Sequence, residues 1–172
     1  MSAYAIRLSR FGDAAAFSEV ETDAAQLLAA EPSLAGIPVP PSRSAEEYRS
    51  MIAQRHCLTA VVGDEVVGFA ATRPHGRELH LHELSVASGF QRMGIGGTLL
   101  RALKIDAQNA GMRAITLHTY RDLPWNTPFY ARHGWSPIDD LSAHPRLAAG
   151  QDAAVAFGLP RERRCAMICL LD

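Results

Sequence analysis

The sequence predicts one α/β domain, built on a mixed and mostly antiparallel β-sheet that is flanked by helices. Strand-like and helix-like patterns alternate along the chain, which favours helices packed on a sheet. A turn at Gly63-Asp64 joins two strand-like runs, so the sheet should begin antiparallel. A length of 172 residues, with 48% hydrophobic and 20% charged residues, fits a single globular domain over residues 1–172.

The first third of the chain contains one strand and two helices. We expect a strand at Tyr4–Leu8, a helix from Asp13 to about Ala30, a loop over residues 31–41, and a helix from Ser44 to about Gln54. Asp13 is a suitable N-cap residue, and Ser44 followed by Glu47 fits a capping box. Four prolines stiffen the loop between the helices. Two helices joined by a rigid loop should therefore overhang one end of the sheet.

The rest of the chain continues the alternation of strands and helices. We expect strands at 58–62, 66–72, 79–86, 114–119, 135–138 and 165–171, with a turn at 73–76. We expect a helix from Gly94 to about Gly111 and a short helix beginning near Asn126. Residues 141–156 should have helical content that is broken at Pro145. The helix after Gly94 is the most regular of these elements, because Leu99, Leu100 and Leu103 recur at helical spacing.

The stretch from Glu78 to Leu103 has the order strand, glycine-bearing loop and helix. The first N–H groups of a helix have no partner within the helix, and the helix dipole adds positive charge there. Gly94, Gly96 and Gly97 remove side chains where an anion would have to contact the backbone. A dinucleotide fingerprint would need glycine where Leu99 stands, and a P-loop would need Gly-Lys-Ser/Thr, which is absent.

Two segments resemble the GCN5-related N-acetyltransferase (GNAT) superfamily. Gln91, Gly94 and Gly96 are similar to its coenzyme A signature, and residues 126–135 (NTPFYARHGW) are similar to its aromatic-Tyr-x-x-x-Gly-aromatic segment. The order of elements resembles the family from Tyr4 to Leu171. The resemblance implies the GNAT fold, acetyl-CoA as cofactor, and transfer of an acetyl group to an amine.

The resemblance also implies a set of coenzyme-binding residues. The diphosphate should lie on N–H groups at the start of the helix, and the N–H of Val86 is the candidate to stabilise charge on the thioester oxygen. Asn126 could contact the coenzyme or line the mouth of the acceptor pocket. The full set is Leu84, Ser85, Val86, Gln91, Arg92, Met93, Gly94, Ile95, Gly96, Gly97, Thr98 and Asn126.

Acetylation of an amine needs a base that removes a proton and an acid that protonates the leaving thiolate. The family match assigns the acid role to Tyr130. Three residues of the central strand are candidates for the base: His80, His82 and Glu83. Strand alternation puts both histidines on one face and Glu83 on the other unless a bulge intervenes, and the sequence does not choose among the three. His118 is a weaker candidate, because its strand should be largely buried.

Three functions remain open at this level. The leading interpretation is an acetyl-CoA-dependent N-acetyltransferase acting on the primary amine of a small molecule. The second is an enzyme that acetylates a protein N-terminus or lysine. The third is a non-catalytic acyl-CoA-binding sensor, against which the presence of Tyr130 argues. The family resemblance also makes a homodimer possible.

Composition argues against several other classes of partner. The net charge of −1 gives no reason to expect nucleic acid or a membrane surface as a partner. No apolar run of about 18 residues and no secretory signal are seen. Cys57, Cys165 and Cys169 lie in apolar runs, so we expect buried free thiols, no metal site and a cytoplasmic location.

Overall fold

A computed structural model describes residues 3–172 and contains one seven-stranded sheet. The strands are β1 (Ala5–Leu8), β2 (Leu58–Val62), β3 (Glu65–His75), β4 (Glu78–Val86), β5 (Ala114–Tyr120), β6 (Ser136–Ile138) and β7 (Arg164–Leu170). The α-helices of these residues are α1 (Ala14–Ala29), α2 (Ala45–Ile52), α3 (Ile95–Asn109), α4 (Thr127–Arg132) and α5 (Pro145–Phe157).

The strand order is β1-β2-β3-β4-β5-β7-β6. Every neighbouring pair is antiparallel except β4 and β5, which are parallel and joined through the crossover helix α3. This arrangement confirms the predicted mixed, mostly antiparallel sheet with an antiparallel beginning. The parallel pairing covers only three residue pairs, from Glu78↔Ala114 to His80↔Thr116, and ends there.

Helices cover both faces of the sheet. On one face, α3 buries Leu99, Leu100 and Leu103 against the strands. On the other face, α1 and α2 enclose an aromatic cluster in which the Phe17 and Phe69 rings stack at 4.1 Å. These two cores hold β4 between them, so the direction of each β4 side chain is determined by the packing on both sides.

Most predicted boundaries agree with the structure to within a few residues, and three local expectations are corrected. β3 continues through His75 instead of turning at Arg73, because Arg73 and Pro74 pair with β4. Pro145 begins α5 instead of breaking it, as a missing N–H costs nothing in the first turn. Asp13 precedes α1, but its carboxylate binds Arg7 and the N–H of Arg10 rather than capping the helix.

The predicted cap of α2 is present, since the Ser44 hydroxyl accepts a hydrogen bond from the Glu47 N–H. All three cysteines are buried free thiols, as expected. Within residues 3–172, no helix is both long and apolar enough to span a membrane, and no cluster of metal-ligating side chains forms.

Candidate active site

The separation of β4 from β5 opens a cavity of about 980 Å³. Beyond His80 and Thr116 the two strands no longer pair, and the residues that follow form opposite walls. The N-terminus of α3 and the first residues of α4 line the cavity in one region. α1, residues of the loop between α1 and α2, and Trp125 line it in another.

The start of α3 presents free backbone N–H groups to this cavity. Gly94 has a φ of +83° and precedes the helix, and the first helical bond runs from the Thr98 N–H to the Gly94 carbonyl. The N–H groups of Ile95, Gly96 and Gly97 therefore lack helical partners, and all three residues line the cavity. The geometry fits an anionic group such as a diphosphate.

The loop before α3 is tied to β4. The Gln91 side chain donates a hydrogen bond of 3.1 Å to the Val86 carbonyl. The neighbouring Ala87 N–H donates to Val67 of β3, so the N–H and C=O of Val86 point to the opposite edge of the strand, which is the edge that β5 leaves open. The predicted Val86 N–H donor is thus directed toward the cleft.

Two of the glycines have a packing role that the motif did not reveal. A Cβ on Gly97 would lie 2.8 Å from the His133 ring, and one on Gly96 would lie 3.4 Å from Phe129. Both contacts come from the segment that begins with α4. Glycine at these positions therefore lets α4 pack against the start of α3, in addition to leaving the amides accessible.

Two predicted coenzyme-binding residues lie outside the cavity wall. Met93 is 44% exposed on the loop. The Thr98 N–H is already bonded within the helix, and its hydroxyl contacts Tyr4 and the Gly94 carbonyl. The other members of the predicted set line the cavity, including Arg92, Asn126 and the strand residues Leu84, Ser85 and Val86.

A bulge in β4 determines which face carries Glu83. Ala71 pairs with Glu83 and Thr72 pairs with Leu81, so His82 is an extra residue without a partner in β3. Glu83 consequently shares the α1/α2 face with His80, because their partners Ala71 and Arg73 share a face. Simple alternation, which separates Glu83 from the histidines, does not hold here.

Glu83 lies in a charged network that crosses from β4 to α1. Its carboxylate accepts hydrogen bonds from Arg43 at 3.1 Å and from the Ser85 hydroxyl at 2.8 Å. Arg43 also pairs with Glu21 at 3.3 Å. Burial and the nearby Glu21 carboxylate raise the pKa of Glu83 above its ordinary value, although Arg43 and Ser85 oppose the shift. Arg43 and Glu21 belong to no motif, and the sequence reasoning missed them.

Tyr130 projects from α4 into the same cavity. Its ring packs against Phe129 at 5.3 Å and Trp135 at 6.1 Å between centroids. Burial and the charge of Glu83 raise the pKa of the phenol well above its usual range. The hydroxyl is therefore protonated at neutral pH and can donate a proton.

The histidines are held neutral. His80 is only 6% exposed, is absent from the cavity wall and shares a 2.9 Å hydrogen bond with Thr116. Burial, assisted by neighbouring positive groups, lowers the pKa of His80 to about 2 and that of His82 to about 4. His82 lines the cavity with a buried Nε2 that has no partner among the described residues. His118 also reaches the wall, but its Nε2 donates to the Leu147 carbonyl of α5.

A sequence model described as the acetyltransferase (GNAT) family matches residues 23–135, about two thirds of the chain. The chain belongs to the GNAT acetyltransferase family. This membership confirms the predicted family and fold, the acetyltransferase class, and acetyl-CoA as the acyl donor. The matched range begins in α1 and ends at Trp135, so it includes Glu83, the α3 N-terminus and Tyr130.

Solved structures of similar fold cover nearly the whole of this GNAT chain. Ard1 from Thermoplasma volcanium has a TM-score of 0.69 at 17% identity and covers 99% of both chains. The PaiA N-acetyltransferase from Thermoplasma acidophilum, in complex with coenzyme A, has a TM-score of 0.69 at 17% identity over 97% of this chain and 98% of its own. The Escherichia coli ribosomal-protein-S18-alanine N-acetyltransferase has a TM-score of 0.69 at 16% identity over 98% and 94%. Identities this low establish the fold alone.

One curated relative is more similar over a shorter stretch. The mycothiol acetyltransferase of Kineococcus radiotolerans is 38% identical over 74 residues, which is 42% of this chain and 23% of that protein. This chain therefore matches less than a quarter of the relative's length. The match adds another acetyltransferase to the comparison and does not define the acceptor of this chain.

Proposed function

We propose that this protein transfers the acetyl group of acetyl-CoA to the primary amine of a small molecule by direct attack on the thioester. The observation that carries the proposal is the presence of Glu83, Tyr130 and the free amides of α3 in the wall of one cavity. Acetyl-CoA supplies an activated acyl group and a thiolate leaving group. Side chains and backbone amides of this chain would bind the donor and transfer the protons.

The backbone would hold and orient the donor. The N–H groups of Ile95, Gly96 and Gly97 suit the diphosphate, since they combine unpaired donors with the positive end of the helix. The Val86 N–H faces the open edge of β4, where it can stabilise charge that develops on the thioester oxygen. A single fixed donor of this kind contributes roughly 3 kcal/mol.

Glu83 is the base that the geometry favours. An ordinary alkyl ammonium with a pKa near 10.4 is mostly protonated at pH 7, so presenting it neutral costs roughly 4–5 kcal/mol. The raised pKa of Glu83 makes its carboxylate a better proton acceptor than an exposed glutamate, and the group lies in the cavity wall. His80 is buried outside the wall, and the low pKa of His82 makes it a weak base at neutral pH.

Tyr130 is the proposed acid. Its phenol would donate a proton to the sulfur of the leaving thiolate. The raised pKa keeps the phenol protonated before that transfer. The acid and the base thus come from different elements, α4 and β4, whose relative position depends on the packing of α4 against α3.

The shape of the cavity supports a small acceptor. Leu34 and Ile37, from the loop between α1 and α2, pack with Tyr120 and Leu123 in a local hydrophobic cluster. This contact brings the loop over the region lined by Leu28, Pro40 and Trp125. A concave pocket of this kind accommodates a compact amine more readily than a folded protein surface.

The test is a thiol-release assay with purified protein, acetyl-CoA and three sets of acceptors: small amines, peptides with free N-termini, and lysine-bearing peptides. We expect turnover with small amines, and mass spectrometry should show one added acetyl group on the amine. Turnover restricted to peptides would favour the protein-directed alternative. Measurable binding of acetyl-CoA by calorimetry without turnover on any acceptor would favour a sensor.

A further inference from the structure

Arg164 is a charged residue in the cavity wall that the proposed chemistry does not use. It begins β7, where it pairs with Tyr120 of β5. Its guanidinium carbon lies 5.0 Å from the centroid of the Tyr120 ring, in cation–π contact. Tyr120 also contacts Leu34 and Leu123, so Arg164 belongs to the region under the α1–α2 loop rather than to the start of α3.

The guanidinium has no hydrogen-bonding partner within residues 3–172. Its Nε is fully buried and unsatisfied, and burial lowers the pKa of Arg164 below its ordinary value. The other partly buried arginines of these residues each donate at least one side-chain hydrogen bond: Arg7, Arg43, Arg73, Arg146 and Arg163. A partly buried guanidinium without a protein acceptor is unfavourable, and its terminal nitrogens are available to an anionic group of a ligand in the cavity.

The Glu83 and Glu21 carboxylates of the cavity wall do not hydrogen-bond Arg164. Glu83 is already bonded to Arg43 and Ser85, and Glu21 is bonded to Arg43 and Tyr48. His82 and His118, which also line the cavity, are neutral at pH 7 because burial lowers their pKa values. An anionic ligand group is therefore the natural partner of this guanidinium.

We propose that Arg164 binds a carboxylate or similar oxyanion of the acceptor, so that the acceptor is a small amine that also carries an anionic group, as in an amino acid. The planar fork of a guanidinium matches a carboxylate through two parallel hydrogen bonds. Tyr120, Trp125, Leu28 and Leu159 would contact the apolar part of the same molecule. The proposal rests on the proposed acetyltransferase function and names its class of acceptor.

The test compares matched acceptors on the wild-type protein. Each set contains an amino acid, its carboxamide and its decarboxylated amine, and a separate pair compares an aminophosphonate with the corresponding amine. We expect kcat/KM for the amino acid to exceed that of its amide by at least about tenfold, as befits a charge-assisted bidentate contact. A preference for the phosphonate over the carboxylate would identify the oxyanion.

The variant Arg164→Gln removes the charge and keeps much of the side-chain length. We expect kcat/KM for the amino acid to fall about 10- to 100-fold, mainly through KM, while the amide is affected little. Arg164→Lys should recover part of the loss, because it restores the charge without the fork. Arg161→Gln is the matched control, since Arg161 is exposed and pairs with Asp152 outside this cavity.

The outcomes separate this inference from the proposed function. Absence of turnover with every amine would overturn both. Turnover in which amide and acid are equal, or in which Arg164→Gln affects them equally, would overturn the role of Arg164 and leave the acetyltransferase function standing. Weakened acetyl-CoA binding in Arg164→Gln, measured by calorimetry, would assign the residue to the coenzyme instead. If that variant does not fold, the wild-type comparison of acid and amide decides alone.

Discussion

Two side chains of the cavity wall, Tyr130 and Glu83, have shifted pKa values for related reasons. Burial raises both pKa values, and each raised value suits the proposed role, since the phenol is to keep its proton as an acid and the carboxylate is to accept one as a base. The charge of Glu83 contributes to the shift on Tyr130, so the two groups are electrostatically linked across the cleft.

Replacing Tyr130 with phenylalanine should lower kcat by about 100-fold, because general acid catalysis typically contributes two to four orders of magnitude. The dissociation constant for acetyl-CoA should change little, since the ring packing against Phe129 and Trp135 is kept. Steady-state kinetics and calorimetry measure the two quantities. Full activity in Tyr130→Phe would remove the acid role.

Replacing Glu83 with glutamine should remove the acidic limb of the pH–rate profile. In the native enzyme, activity should rise with pH as the Glu83 carboxyl ionises, at a pH above the ordinary glutamate pKa. The variant should be at least about 100-fold slower at pH 7 and nearly independent of pH in the acidic range. An unchanged acidic limb in Glu83→Gln would assign the base to another group. Ser85→Ala keeps the carboxylate but removes a hydrogen bond that lowers its pKa, so the acidic limb should remain and move to higher pH.

The residues that sequence reasoning located are those whose role depends on local context. Tyr130 and the Gly94–Gly97 loop were recognisable because their neighbours in the chain form motifs. Arg43 and Arg164 were not, because each becomes important only through partners distant in sequence, such as Glu83 and Tyr120. A bulge in β4 is an open alternative at the level of sequence, but nothing in the residues HLHEL specifies where the register with β3 shifts.

At the scale of elements, the packing of α4 on the start of α3 connects Tyr130, the proposed acid, to the loop proposed to bind the diphosphate. Gly97 contacts the His133 ring, and Gly96 contacts Phe129, so the first turn of α3 and the segment carrying Tyr130 are held as one unit. Position 97 accordingly has two opposing effects on stability: alanine favours the helix, but its Cβ would overlap the His133 ring.

Gly97→Ala should lower the free energy of unfolding by about 1 kcal/mol, because the overlap, worth about 1–3 kcal/mol, outweighs the helical gain of about 1 kcal/mol. In a His133→Ala background the same change should stabilise the protein, since the ring is gone. Urea titration of the four proteins measures the coupling. Gly89→Ala is a control in open space. Destabilisation of similar size in both backgrounds would refute the packing account.

Element prediction succeeded where a pattern repeats and failed where tertiary contacts decide. α3 was predicted because its leucines recur at helical spacing, and the Ser44 cap because its box is local. Pro145 was misinterpreted as a break, because proline is compatible with a first turn and its position in the helix was not known from sequence.

At the scale of the whole molecule, the buried histidines make stability depend on pH. His80 and His82 have folded-state pKa values of about 2 and about 4, below the unfolded value of about 6.5. Between these values the unfolded chain binds more protons than the folded one. The stabilisation is therefore complete above about pH 6.5 and is lost as the pH falls toward the folded values.

The free energy of unfolding should decline from about pH 6.5 downward, by up to about 1.4 kcal/mol per pH unit for each histidine. His80→Gln, which can keep a hydrogen bond to Thr116, should reduce this slope between pH 6.5 and 5. Denaturant titrations of both proteins across that range, with pH 8 as reference, measure the difference. Equal slopes would mean that His80 is not buried as a neutral group.

The early parting of β4 and β5 has a further consequence for how this molecule behaves in a crowded cell. A row of backbone donors and acceptors on β4 is left without a neighbouring strand. On an edge strand, such unpaired groups would favour aggregation through pairing with other chains. Here the gap between β4 and β5 lies in the middle of the sheet, and helices and the α1–α2 loop surround it. A small extended molecule can enter the gap between β4 and β5, whereas the edge strand of another protein's sheet cannot pair with β4 there.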